Sequence, residues 1–61
     1  MTDYDTFEVL NTTIDQRTRL RNMGFAVEKL DQDYTNVTCS DNRADELTEL
    51  LDSLGLEHKL V

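Results

Sequence analysis

The chain has no proline, one cysteine, one histidine and two glycines in 61 residues. Cys39 alone can neither close an intrachain disulfide nor complete a cysteine-based structural zinc site, so nothing staples this small chain or points to an oxidising compartment. An intracellular, cytoplasmic setting is the expectation. Without proline or a low-complexity stretch there is no linker, and a single small domain over residues 1–61 is expected. Gly24 and Gly55 both fall where a helix should stop, which leaves no glycine-rich loop to cradle a phosphate. No apolar run nears the roughly 18 residues that span a bilayer. The opening Met1-Thr2-Asp3-Tyr4-Asp5 is acidic where a signal peptide is basic and then apolar, so neither secretion nor membrane insertion is expected.

Cations are also scarce. Six Lys and Arg stand against 13 Asp and Glu, a formal charge of −7. Residues 1–30 carry four bases and five acids, and residues 31–61 two bases and eight acids, so the C-terminal half is the acidic pole. Such a surface repels phosphates, so direct, electrostatically driven binding of nucleic acid is not expected unless the small Arg cluster is isolated on its own face. Aspartate outnumbers glutamate eight to five and the only lysines are Lys29 and Lys59, a balance that also keeps a chain solvated in concentrated salt. Only 23 residues are apolar, close to the lower limit for a self-supporting core, so a homodimer that buries more surface is carried as an alternative.

The clearest positive signal is Asp41 to Leu54. Ala44, Leu47, Leu50, Leu51 and Leu54 recur at three- and four-residue spacing and predict an amphipathic helix, begun by Ser40 or Asp41 and ended by Gly55. Leu56 to Val61 then predicts a strand with Leu56, His58 and Leu60 on one side. Upstream, Tyr4 to Leu10 alternates as a strand with Phe7 and Val9 on one face. Thr13 and Gln16 form a capping-box pair that starts a helix running to Met23, although the Arg17 to Arg21 alternation also fits a longer meander. Phe25 to Leu30 and Tyr34 to Cys39 read as a hairpin around Asp31-Gln32-Asp33. Leu20-Met23-Gly24-Phe25 repeats as Leu51-Leu54-Gly55-Leu56 at a shift of 31 residues. The order β-α-β-β-α-β predicts an α+β class and resembles the compact ferredoxin-like βαββαβ fold, with two helices on one face of a four-stranded antiparallel sheet.

A metal carrier of that fold would place a C-x-x-C pair where Asn11-Thr12-Thr13 stands, and Cys39 with His58 is two ligands short of a soft site. No metal and no cofactor are expected. Cys39 beside Val37 reads as a small buried hydrophobe, His58 as a half-buried edge residue and Asp31 with Asp33 as turn caps, so no enzyme is expected. Two charged sets remain. Asp41, Asp45, Glu46, Glu49 and Asp52 on the outer helix face, with Asp31 and Asp33 in the turn, are the candidate surface for a basic protein partner. Carboxylates on one helix face stand about 5 to 6 Å apart, near the spacing of phosphates along a strand. In size and charge the chain resembles the small acidic inhibitors that viruses encode. Arg17, Arg19 and Arg21 are a secondary anchor, or else balance the helix dipole and the acids of the second helix. The reading is a non-enzymatic regulator or inhibitor. The alternatives are a dimeric sensor or assembly module with a small-ligand niche near His58 and Cys39, and a structural component of a larger assembly.

Overall fold

The computed structural model describes residues 3–61. Strand β1 (Tyr4–Leu10) leads to helix α1 (Ile14–Asn22), the hairpin of β2 (Ala26–Lys29) and β3 (Tyr34–Ser40), a 3-10 turn at Asp41–Arg43, helix α2 (Ala44–Ser53) and strand β4 (His58–Leu60). The result is an α+β protein whose four strands form one antiparallel sheet in the order β2-β3-β1-β4.

Register decides which side chains meet. Phe7 lies opposite Val37 and Leu60, Val9 opposite Thr35 and His58, and Val27 opposite Val37. Because a strand turns alternate residues to opposite faces, Phe7, Val9, Val27, Thr35, Val37, Cys39, His58 and Leu60 share one side. Leu20 of α1 and Leu47 and Leu51 of α2 close over that side, joined by Phe25 and Leu56 in one core. The other side carries Tyr4, Thr6, Glu8, Asn36, Thr38, Ala26, Glu28 and Lys59, and no helix covers it. Across it Thr6 Oγ1 meets Thr38 Oγ1 at 3.0 Å and Lys59 Nζ stands 3.5 Å from Glu8. Asn36, between Glu8 and Glu28, has its Oδ1 enclosed without a hydrogen-bond donor.

The start of α1 follows the capping-box expectation. Thr13 Oγ1 accepts from the Gln16 amide at 3.1 Å and Gln16 Oε1 accepts from the Thr13 amide at 2.9 Å. The stretch is a helix and not a meander. Both helices end with the same device: the Gly24 amide donates to Arg21 and the Phe25 amide to Leu20, as Gly55 does to Asp52 and Leu56 to Leu51. Gly24 at φ 94° and Gly55 at φ 72° make those reversals, which a side-chain-bearing residue resists.

Two boundaries and one burial differ from the sequence reading. The second helix does not run unbroken from Asp41, and neither Ser40 nor Asp41 caps it. The Asp41 amide donates instead to the Asp3 carbonyl at 3.0 Å, which ties the chain to the start of β1, and one 3-10 turn intervenes before Ala44. The last strand is three residues long, because the glycine reversal drives Leu56 down into the core before pairing with β1 begins. Arg17, read from the sequence as an anchor or a charge balancing the helix dipole, is buried beside Leu20, while Ile14 is exposed. No helix is long and apolar enough to cross a membrane among the described residues.

Candidate functional site

The acids nominated from sequence do not form one patch. Asp31 Oδ1 accepts from the amides of Asp33 and Tyr34 at 2.8 and 2.9 Å, so this carboxylate is occupied in shaping the hairpin turn. The Asp33 carbonyl accepts from the Asn11 amide at 2.8 Å, fixing the turn to the end of β1. Both side chains are exposed. Asp41 stands at the opposite end of β3, and a seven-residue strand at about 3.3 Å per residue separates the two groups by roughly 20 Å.

Asp45, Glu46, Glu49 and Asp52 are exposed on the outer side of α2, while Leu47 and Leu51 are sealed beneath. They differ in what they face. Glu46 is paired with Arg43 at 2.7 Å, and the hydrogen bond from that guanidinium holds its carboxyl below the usual carboxylate range. Asp52 Oδ1 lies 3.8 Å from His58 Nε2. Asp45 and Glu49 have no ion pair among the described residues. Asp52 keeps 74 % of its side chain exposed beside His58 and joins Asp45 and Glu49 in an open stripe at four- and three-residue steps along one side of the helix.

The three arginines of α1 are split by the fold. Arg19 and Arg21 are exposed in the last helical turn, where cations complement the helix dipole. Arg17 is buried, and its Nη1 donates to the Thr12 carbonyl at 2.8 Å and to Thr12 Oγ1 at 3.0 Å. Thr12 Oγ1 in turn meets Thr35 Oγ1 at 2.9 Å on the core side of the sheet. None of the three pairs with an acid of α2 among the described residues.

Cys39 and His58 are not brought together either. Cys39 sits opposite Asp5 on one side of β1 and His58 opposite Val9 on the other, a separation on the order of 15 Å from strand rise and spacing. Burial, and then the nearby Asp5 charge, push the Cys39 thiol up from its ordinary value, which disfavours the thiolate. The His58 ring stacks edge-on to Phe7 with centroids 6.0 Å apart, and its Nδ1 is 3.1 Å from the Leu56 carbonyl. No cluster of three metal-ligating side chains occurs among the described residues.

Arg43 is the most connected polar side chain among the described residues. Its Nη2 donates to the Met23 carbonyl at 3.0 Å as well as to Glu46, and its guanidinium lies 4.3 Å over the Phe25 ring. It thereby ties the end of α1 to the start of α2. The Arg17 and Thr35 network did leave a trace in the sequence: Thr35 shares the period-two face of Val37 and Cys39, and Arg17 stands three residues before Leu20. Compared with protein-family models, with curated proteins and with solved structures, the chain matches none.

Proposed function

We propose that this protein is a small, non-enzymatic interaction module, a regulator or inhibitor, that engages a basic protein partner through the outer face of α2. One observation carries the reading. Asp45, Glu49 and Asp52 form an exposed acidic stripe on a helix that has no basic residue in its last turn, although a cation there would stabilise it and an acid does the reverse. Local stability accounts for Asp45 in the first turn but not for Glu49 and Asp52 toward the negative end, whereas recognition of cations accounts for all three. Glu46 belongs to the Arg43 pair and Asp31 to its own turn, so the contact set narrows to Asp45, Glu49 and Asp52. The spacing suits a surface that stands in for nucleic-acid phosphates in a basic groove.

What supports reading the scaffold as ferredoxin-like is that both helices pack on one side of an antiparallel sheet with β1 and β3 at its centre. That fold names no activity. The dimeric-sensor reading has less to stand on, because the niche it needs would join Cys39 to His58.

Capture of the tagged chain's partner from its native cell extract is the test. A basic protein should be retained at low salt, released at high salt, and lost when Asp45, Glu49 and Asp52 are all reversed to lysine. Capture that survives the triple reversal would show that the wrong face was chosen.

A further inference from the structure

Arg17 is 9 % exposed, yet it has no carboxylate within 4 Å among the described residues. A long arginine stem is often buried, but the charged head then reaches water or an anion. Here both Nη1 bonds run to Thr12, a neutral residue, and Nε and Nη2 have no acceptor among the described residues. Those two atoms are not sealed in: the one enclosed, unpartnered side-chain polar atom among the described residues is Asn36 Oδ1. The head is thus held on one side by Thr12, which Thr35 braces in turn, while its Nε and Nη2 edge keeps contact with solvent. That edge presents two parallel N–H donors, the geometry that grips both oxygens of a carboxylate or phosphate.

The surroundings favour an anion as well. The side chain runs back past the start of α1, where the aligned peptide dipoles leave a positive end. Arg17 adds a full positive charge there without a paired acid. Helix α1 itself carries Arg17, Arg19 and Arg21 against the single acid Asp15, a local excess of two positive charges in a chain that is acidic as a whole.

We propose that the outward edge of the Arg17 guanidinium is a preformed receptor for one oxyanion group, a carboxylate or a phosphate, held by Nε and Nη2 while Thr12 and Thr35 fix the head. The inference is independent of the acidic stripe on α2, which would take the opposite charge.

The test is a titration of the whole chain with inorganic phosphate, and separately with acetate, at constant ionic strength, following the Arg17 Nε–H resonance. A saturable shift with either anion, absent with chloride, is expected, and which anion shifts it identifies the source chemistry. Arg17→Lys keeps the charge but loses the fork and with it that resonance, so it is compared with the unaltered chain through the Thr12 and Thr13 backbone amide shifts, and its anion affinity should fall by roughly tenfold or more. Arg19→Gln and Arg21→Gln should leave it in place. A resonance that moves equally with chloride, or a response that vanishes with Arg19 or Arg21, would overturn the assignment. Should Arg17→Lys fail to fold, the titration of the unaltered chain and of the two glutamine variants still decides it.

Discussion

Arg43 and Glu46 show how one exposed pair can do more than a surface ion pair usually does. An isolated surface salt bridge contributes little, but this guanidinium also satisfies the Met23 carbonyl left over at the end of α1 and covers the Phe25 ring. Glu46 orients it. Since the folded carboxyl is held below its ordinary range by the Arg43 hydrogen bond, its contribution is present above the unfolded value and is lost as pH falls through the folded one. Glu46→Gln should therefore lower the urea midpoint at neutral pH, and the gap from the unaltered protein should close on acidification. A gap that is constant across the acid range would mean that Glu46 does not tune Arg43 through its charge.

At the scale of the element, the two glycine reversals make a comparison. An added Cβ at Gly24 meets Arg43 Nη1 at 3.2 Å, while at Gly55 nothing lies within 4 Å. Both carry positive φ, so alanine at either should cost about 1 to 2 kcal/mol. Gly24→Ala should cost more, and the excess should shrink in an Arg43→Ala background, as urea unfolding of the double-mutant set would report. Equal costs in the unaltered background would show that Arg43 moves aside freely. These reversals, the capping box and the leucine ridge were legible in the sequence because each rests on chemistry within four or five residues. The 3-10 entry to α2, the burial of Arg17 and the hub at Arg43 were not, because each depends on a distant partner: Asp3 for Asp41, Thr12 and Thr35 for Arg17, Met23 and Phe25 for Arg43. The acidic residues could be placed on the outer helix face from periodicity, but periodicity does not say that Glu46 is already paired, or that a strand's length divides the turn acids from those that begin α2.

For the molecule as a whole, charge works against compactness. With seven negative charges in excess, folding brings like charges together, and α2 concentrates the conflict: Asp45 and Glu49 are one helical turn apart, Glu49 and Asp52 likewise, and Asp52 faces the negative end of the helix dipole. Screening relieves each of these terms, and the Debye length falls from about 10 Å at 0.1 M salt to about 3 Å at 1 M. The melting temperature should therefore rise with sodium chloride over that range, and Glu49→Gln with Asp52→Asn should raise it at low salt while flattening its salt dependence. The same two substitutions should weaken capture of a basic partner. A variant that gains stability and loses binding would mean that the acids are kept on α2 for what they meet and at the expense of the fold. A variant that gains stability and binds as before would mean that the stripe is surplus charge and that recognition lies elsewhere.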